Sequence, residues 1–409
     1  MFKKMKADNR VIDLTPDVKW IGVLDYDIRT FDIVMHTDHG TTYNSYFINA
    51  EKKAIIETAK EKFSDVFLSK LRQVTDPAEL AYIVLDHTEP DHSGAMRQLL
   101  DLAPGAVVVG SGNTIRYLGD IVNRPFKSLV VKDGDTLDLG NKTLKFISAP
   151  NLHWPDSIYT YIVEDKILFT CDSFGAHYCH AELFDDLVGD YQADFRYYFD
   201  VILKPYSKFM VKAIEKIRPL EISMIAPGHG PVLRKNWKSI VDETRRLSEE
   251  YLALTERSGV KRVLITYVSA YGYTAEMARL IAAGASKTEN LEVEVLDIET
   301  ADIGLIDSKI AIADGIIVGS PTINQNTLLP VYNLMAVVSP LRDRGKLAGS
   351  FGSYGWSGEA PSMIAEMLKN LKLKYFEEPA AFKFVPEDGK DKTLIEYGER
   401  FGKALTSPV

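Results

Sequence analysis

The sequence is poor in cysteine, in long apolar runs and in positive charge, and each shortage excludes a class of protein. Its 409 residues contain two cysteines, Cys171 and Cys179, which do not form a C-x-x-C pair. A zinc ribbon, an iron–sulfur cluster and a four-cysteine rubredoxin-type site are therefore excluded. No stretch approaches the roughly 18 apolar residues that a transmembrane helix requires. The formal net charge of −9 disfavours nucleic acid and anionic membrane surfaces as partners, because like charges repel.

The first residues, MFKKMKADNR, are basic, but no apolar segment follows them. They therefore do not have the pattern of a signal peptide. Reduced thiols are the simpler interpretation of two isolated cysteines, although a disulfide between them is possible on paper. We expect a cytoplasmic protein.

The histidines divide the chain, since all eight lie at or before His229. Before that point, strand-like runs such as AYIVLDH and ILFTCDS alternate with helical segments. A polar helical stretch ends near Ser258–Gly259, and beyond it apolar strands alternate with helices, which predicts a doubly wound parallel sheet. Because a chain of this length exceeds one ordinary core, we predict two domains, 1–258 and 259–409.

The motif HTEPDHSG places His87, Glu89, Asp91 and His92 directly after an apolar strand. Loops at strand ends are common ligand sites in α/β folds. Since Pro90 interrupts a regular helix, we predict an extended loop in which these side chains converge on a metal. The alternative is that Asp91 or Ser93 caps a helix beginning near Gly94, with the histidines merely polar.

Three later segments favour metal binding, because each places one ligand-type residue at a loop or strand end. NLHWPDS contains His153, ILFTCDS ends an apolar strand at Asp172, and MIAPGHGP contains His229 in a turn. Each segment alone is weak evidence, but together they fit a two-metal site. Candidates for side chains beside the metals, which could equally be core or surface residues, are His177, Tyr197 and Tyr198.

The segment RVLITYVSAYGYTAEMA predicts a strand, a loop and a helix. Hydroxyls and backbone N–H groups at a helix N-terminus bind phosphate. The loop is neither G-x-G-x-x-G nor a Walker motif with its lysine, so a dinucleotide is disfavoured. The alternative is an ordinary turn with Thr274 as the N-cap. The candidate phosphate-binding residues are Ser269, Tyr271, Gly272, Tyr273 and Thr274.

The order of the histidines and carboxylates resembles the metallo-β-lactamase fold, an αβ/βα sandwich whose hydrolases carry H-x-H-x-D-H, a single His, a bridging Asp and a last His. Glu89 stands where those hydrolases have histidine, and a further carboxylate suits iron better than zinc. In some members of that fold the counterpart of His92 is not a direct ligand. The resemblance implies that one iron is held by His87, Glu89, His153 and Asp172, and the other by Asp91, His92, Asp172 and His229.

The second domain resembles the flavodoxins, with strand order 2-1-3-4-5 and FMN bound by three loops. The first is the phosphate loop, and the others are GSPTINQN and GSYGWSGE. Trp356 is the natural stacking partner for the flavin ring. The resemblance implies that the ribityl chain and ring are surrounded by Pro321, Thr322, Asn324, Ser353, Tyr354, Gly355, Trp356 and Gly358.

The two domains in this order resemble the flavodiiron proteins, also called A-type flavoproteins, over nearly the whole chain. The resemblance implies reduction of dioxygen to water, of nitric oxide to nitrous oxide, or of both, by two irons and FMN. It also implies an external donor, either rubredoxin or reduced coenzyme F420, and a head-to-tail homodimer or a dimer of dimers. Two alternatives remain open: a zinc-dependent hydrolase with a passenger flavodoxin domain, and a pure electron carrier.

Overall fold

The computed structural model of the protein describes residues 8–32, 35–255, 259–340, 342–385 and 389–407. The chain divides into two units, Met1–Leu252 and Ala253–Val409. The domain limits 1–258 and 259–409 stay a prediction, because residues 256–258 lie outside the described part of the chain. No helix within the described ranges has both the length and the apolar character needed to cross a membrane.

The described part of the first unit consists of short strands and seven α-helices. The strands are β1 (Ile12–Asp13), β2 (Val18–Trp20), β3 (Val23–Asp25), β4 (Thr30–Phe31), β5 (Met35–His36), β6 (Thr41–Tyr43), β7 (Tyr46–Ile48), β8 (Ala54–Ile56), β9 (Tyr82–Val84), β10 (Val107–Gly110), β11 (Lys127–Val130), β12 (Thr136–Asp138), β13 (Thr143–Ser148), β14 (Ile158–Ile162), β15 (Ile167–Cys171) and β16 (Met224–Pro227). The helices are α1 (Ser64–Val74), α2 (Pro90–Ser93), α3 (Met96–Leu102), α4 (Gly112–Val122), α5 (Gln192–Tyr198), α6 (Ser207–Ile217) and α7 (Trp237–Thr255).

Two large sheets form the core of the first unit, with strand orders β1-β2-β7-β8-β9-β10-β11 and β12-β13-β14-β15-β16, and two further sheets have two strands each, β3-β6 and β4-β5. Alternate residues of a strand point to opposite faces. Ile56 accordingly packs in a cluster shared by both sheets, whereas Ile55 packs with α1, α3 and α4. On the second sheet, Phe146 joins the shared cluster and Ile147 packs with α5 and α6. The result is the predicted αβ/βα sandwich.

The second unit is a parallel sheet of strand order β18-β17-β19-β20-β21, with β22 pairing beside β20. Helices cover both faces, with α9, α10 and α11 on one and α8 and α12 on the other. This confirms the predicted flavodoxin-like order 2-1-3-4-5, with the fifth strand split in two. The elements are β17 (Lys261–Tyr267), α8 (Tyr273–Ala285), β18 (Leu291–Asp297), α9 (Ile303–Ile312), β19 (Gly315–Gly319), α10 (Leu329–Val337), β20 (Leu347–Tyr354), α11 (Glu359–Asn370), β21 (Lys374–Tyr375), β22 (Ala380–Lys383) and α12 (Lys390–Thr406).

A buried lysine of α1, Lys70, contacts the segments whose hydrogen bonds reach the end of β16. Lys70 is fully buried, its Nζ donates a hydrogen bond to the Gly22 carbonyl at 2.6 Å, and it lies 4.1 Å from the ring centroid of Trp20. Trp20 donates to Asn44 Oδ1 at 2.9 Å, and the Asn44 amide donates to the Pro227 carbonyl at 2.8 Å. The buried Lys70 amine therefore packs against Trp20, the first residue in a series of hydrogen bonds that ends at the Pro227 carbonyl.

We predict that the first unit becomes more stable between about pH 8 and pH 10. Burial lowers the pKa of Lys70 to about 8, whereas an unfolded lysine has a pKa of about 10.4. Between these values the unfolded chain binds more protons, so the free energy of unfolding rises with pH, by roughly 1–3 kcal/mol. Urea unfolding followed by tryptophan fluorescence measures the rise.

The variant Lys70→Met should lose that rise, while Lys52→Met, which removes an amine that is 48% exposed, should keep it. An unchanged slope in Lys70→Met would contradict the assignment.

Candidate metal centre and flavin site

The first unit gathers the predicted ligands at one edge of the sandwich, where strands from both sheets end. His87 follows β9 of the first sheet, and Asp172 and His229 follow the neighbouring parallel strands β15 and β16 of the second. The extended loop predicted for HTEPDHSG is wrong. Pro90 instead begins the short helix α2 (Pro90–Ser93) as its first residue, a position where proline's missing N–H costs nothing.

His87, Glu89, His153 and Asp172 form the first ligand group, with donor atoms all within 4.8 Å of one another. Glu89 Oε2 lies 2.9 Å from His153 Nε2 and 3.3 Å from His87 Nε2. Asp172 Oδ2 lies 3.6 Å from His87 Nε2 and 3.5 Å from His153 Nε2. Two imidazoles and two carboxylates therefore face one point.

Asp91, His92 and His229 form the second ligand group, also within 4.8 Å of one another. His229 Nε2 lies 3.0 Å from Asp91 Oδ2. The other oxygen of Asp172, Oδ1, lies 3.1 Å from His92 Nε2 and 3.5 Å from His229 Nε2. Asp172 thus presents one oxygen to each group, as a carboxylate bridging two cations would.

Whether cations fit these two groups can be judged from the hydrogen bonding of the buried carboxylate oxygens. Both oxygens of Asp91 and Oδ2 of Asp172 are buried without a hydrogen-bond partner among the described residues. Unpaired buried charge costs several kcal/mol per ion. With Glu89, three carboxylates converge here beside four imidazoles. Oxygen and nitrogen donors without sulfur suit iron or another hard-to-borderline cation, so the residues fit a pair of such ions.

The electrostatics support the same conclusion. Burial alone would raise the pKa of Asp91 and of Asp172, but the neighbouring imidazoles hold both pKa values below the ordinary range. Burial alone would lower the pKa of His87, but hydrogen bonds to Asp156 and Glu89 raise it. The pKa of His92 is raised by Asp91 and Asp172 against its burial. Cations would replace the protons that these groups share.

Two ligand histidines are oriented by acceptors that the sequence did not reveal. His87 Nδ1 lies 3.0 Å from Asp156 Oδ1, and Asp156 Oδ2 accepts from the N–H and the hydroxyl of Thr88. His229 Nδ1 donates to the Thr42 carbonyl at 2.6 Å. Such acceptors fix the tautomer that leaves Nε2 free for a metal. Asp156 lies within the HWPDS motif, which is a signal for it, but a backbone acceptor such as Thr42 leaves no side-chain signal.

The structure separates the three candidates for side chains beside the metals. The Tyr198 hydroxyl donates to Asp172 Oδ1 at 3.3 Å, and the His177 ring lies 5.1 Å from that of His229. Tyr197 is 37% exposed and its hydroxyl accepts from the His36 N–H. Successive helical residues point in different directions, so Tyr197 faces away from the ligands.

The three predicted flavin loops converge on one hydroxyl-bearing residue in the second unit. Ser353, at the end of β20, has its Oγ 2.9 Å from Thr274 Oγ1 of the first loop. Its carbonyl accepts from the Thr322 N–H of the second loop at 2.8 Å. The first loop ends at Gly272, whose φ of 86° favours glycine, and Gly272 is also the N-cap of α8, with no side-chain cap. The alternative of Thr274 as N-cap is therefore wrong.

The N-terminus of α8 fits a phosphate, with the Ala275 N–H there donating to Ser269 Oγ at 3.2 Å. The loops beside it carry unusually exposed aromatic rings. Tyr271 and Trp356 are each 80% exposed. Large rings with that exposure are available to stack on a ligand. Asn324 has a φ of 55°, so the second loop is tightly turned at this point. Of the remaining predicted residues, Tyr273 begins α8 and Tyr354 ends β20, and the others lie in the same three loops: Ser269, Pro321, Gly355 and Gly358.

Comparison with known proteins matches both units. The model of the ODP family beta lactamases matches residues 41–230, and the Flavodoxin model matches residues 265–398. The type A flavoprotein fprA of Rhodobacter capsulatus is 39% identical over 398 residues, covering 96% of this chain and 90% of its own length. The flavo-diiron protein FprA2 of Clostridium acetobutylicum is 38% identical over 402 residues, covering 96% and 99%.

Solved structures give the same result. The rubredoxin oxygen:oxidoreductase of Desulfovibrio gigas has a TM-score of 0.68 at 28% identity, over 97% of this chain and 98% of that one. The flavodiiron protein of Giardia intestinalis has a TM-score of 0.65 at 29% identity, over 97% of each chain.

Gly228→Ala should weaken metal binding at the second ligand group. A Cβ at Gly228 would lie 2.7 Å from His92 Cε1 and 3.1 Å from the Cys171 carbonyl carbon, so the ring or the loop must shift. We expect about 10-fold weaker metal binding and a loss of about 1–3 kcal/mol in the free energy of unfolding. Metal content and urea unfolding measure these effects. Gly105→Ala, with nothing within 4 Å of its new Cβ, is the control, and equal metal content in the two variants would contradict the prediction.

Proposed function

This chain belongs to the flavodiiron family, the type A flavoproteins, and from that premise we propose that it reduces dioxygen to water, nitric oxide to nitrous oxide, or both. It is an oxidoreductase with FMN in its flavodoxin unit and a diiron centre in its lactamase-like unit. The name of one structural neighbour, rubredoxin oxygen:oxidoreductase, supports dioxygen as a substrate.

The proposed ligands are the two groups described above. One iron would be held by the first group, and the other by the second group together with Asp172. Asp172 would offer one oxygen to each iron, which is supported by the division of its oxygens between the groups.

The orientation of Glu89 carries the redox proposal. Its carboxylate is turned toward His87 and His153, and it retains 15% exposure. A second carboxylate in the first group makes a harder, more anionic site than a histidine would, which suits iron through its oxidised states. A zinc hydrolase would not need that charge.

The electron balance agrees with the two cofactors. Reducing one O2 to two waters consumes four electrons and four protons, and joining two NO into N2O and water consumes two of each. When bound and reduced, the diiron centre and FMN supply two electrons apiece.

The chain's own side chains keep the site ordered and dry. Burial raises the pKa of Tyr198, so its hydroxyl stays protonated and donates to Asp172. Phe31, which is 3% exposed, stacks on His177 with ring centroids 4.3 Å apart. These rings exclude bulk water from one side of the second ligand group, where low polarity strengthens the interaction of a bound group with fixed donors.

We propose that electrons come from a separate donor molecule; the two cysteines of this sequence cannot form a rubredoxin-type site. We propose rubredoxin as the donor and reduced coenzyme F420 as the second candidate.

We predict that anaerobically purified protein contains close to two irons and one FMN per chain and consumes O2, NO or both when given one of these donors. Glu89→His should lower iron content and turnover about 10-fold or more, because the site loses a hard anionic ligand. Iron and flavin analysis with gas electrodes measures both. Glu79→His, at a side chain that is 56% exposed, is the matched control.

Bound zinc with hydrolytic activity would contradict the proposal, as would reduced protein that reacts with neither gas. Full iron and full activity in Glu89→His would refute the role of Glu89.

We further propose a head-to-tail homodimer, in which FMN of one subunit serves the diiron centre of the other. Sedimentation at assay concentrations should give a dimer or a dimer of dimers, and specific activity should fall on dilution as the dimer dissociates. A fully active monomer would refute the arrangement.

A further inference from the structure

Three of the four proposed ligand histidines, His87, His92 and His229, differ in what their Nδ1 atoms contact. His87 Nδ1 and His229 Nδ1 each have an acceptor, at 3.0 Å and 2.6 Å. His92 Nδ1 is buried without a hydrogen-bond partner among the described residues. The nearby carboxylate oxygen is Glu57 Oε2, 3.8 Å away, which is likewise buried and unpartnered. The side chains of His92 and Glu57 are 1% and 2% exposed.

Glu57 is fixed in place by its other polar atoms. It follows β8 with a φ of 61°, and its N–H donates to the Val84 carbonyl at 2.9 Å. Its Oε1 accepts from the N–H groups of Asp86 and His87, at 2.6 Å and 3.1 Å. The next residue, Thr58, donates from both its N–H and its hydroxyl to the His92 carbonyl. One oxygen of Glu57 therefore secures the backbone before the metal motif, and the other faces the His92 ring.

We propose that Glu57 is the positioning residue for His92: its Oε2 accepts a hydrogen bond from the His92 Nδ1–H and so keeps Nε2 directed at the second iron. The proposal rests on the ligand assignment made above for the flavodiiron centre. Closing 3.8 Å to an ordinary N–H···O distance of about 2.9 Å requires a shift of less than about 1 Å. Metal-bound histidines almost always have such an acceptor.

Cys171 is the alternative acceptor for the His92 Nδ1–H. Its Sγ lies within 4.8 Å of one donor atom each of His92 and Glu57. A thiol is a weak acceptor, and burial raises the pKa of this one, as do the nearby carboxylates. Burial raises the pKa of Glu57, and two bound dications would act in the opposite direction and favour its carboxylate form. The ionised carboxylate oxygen is a stronger acceptor for an imidazole N–H than the thiol sulfur is.

Glu57→Gln replaces the oxygen atom that faces His92 and leaves the size of the side chain nearly unchanged. The glutamine oxygen must take the place of Oε1, because Asp86 and His87 both offer N–H groups there. The amide NH2 then faces His92 Nδ1 and can only donate, which favours the tautomer with the proton on Nε2. That tautomer cannot bind a metal through Nε2.

Metal titration and the Mössbauer spectrum of the iron-loaded chain test the proposal without using turnover. Glu57→Gln should weaken binding of the second iron about 10- to 100-fold and change the spectrum of that iron alone. Asp156→Asn is the matched variant at the other group and should affect the iron bound by His87. In a His92→Ala background, Glu57→Gln should cause no further loss.

Wild-type affinity and spectrum in Glu57→Gln would overturn the proposal. So would equal loss of both irons, or the same loss in the His92→Ala background, since either indicates a general structural role. A change in Cys171→Ser but not in Glu57→Gln would assign the role to the thiol.

If Glu57→Gln does not fold, nitrogen NMR of the zinc-loaded wild-type chain can identify the tautomer of His92. The proposal requires the proton on His92 Nδ1 and the metal on Nε2. The opposite arrangement would refute it. Failure of the proposed function would instead appear as a wild-type chain that binds two irons but reduces neither gas.

Discussion

The first unit is organised around the Asp172 carboxylate, whose two oxygens face different sets of imidazoles. With Glu89 and Asp91 it brings three acidic groups into a space that is almost dry. Protein hydrogen bonds do not satisfy their oxygens, since several have no partner among the described residues. Such a concentration of buried negative charge is stable only with cations, so the strand ends and the short helix α2 serve to hold donor atoms around them.

The two ligand groups differ in their access to solvent. The side chains of Glu89 and His153 retain 15% and 21% exposure, whereas those of Asp91, His92 and His229 have 5% or less. The second group is therefore enclosed by Phe31, His177 and Tyr198, and the first lies nearer the surface. This asymmetry would give two bound metals different environments, although the proposed ligand Asp172 is common to both groups.

The fold and the convergence of the candidate ligand residues could largely be predicted from the sequence, because apolar periodicity and residue order express them directly. The local path of HTEPDHSG could not, since Pro90 is compatible both with a loop and with the first turn of a helix. Tyr197 and Tyr198 are adjacent in sequence, so only the helix orientation separates them. Outer acceptors such as the Thr42 carbonyl and Glu57 depend on tertiary contacts between distant segments, which periodicity does not encode.

The origin of the ligands has a mechanical consequence. His87 comes from the seven-stranded sheet, whereas Asp172 and His229 come from the five-stranded one, so a metal pair bound between them links the two layers of the sandwich. Such a metal pair would act as a reversible cross-link between segments that are distant in the sequence. Its binding free energy would add to the free energy of folding. Loss of the metals would therefore lower the free energy of unfolding of the first unit as well as remove its chemistry.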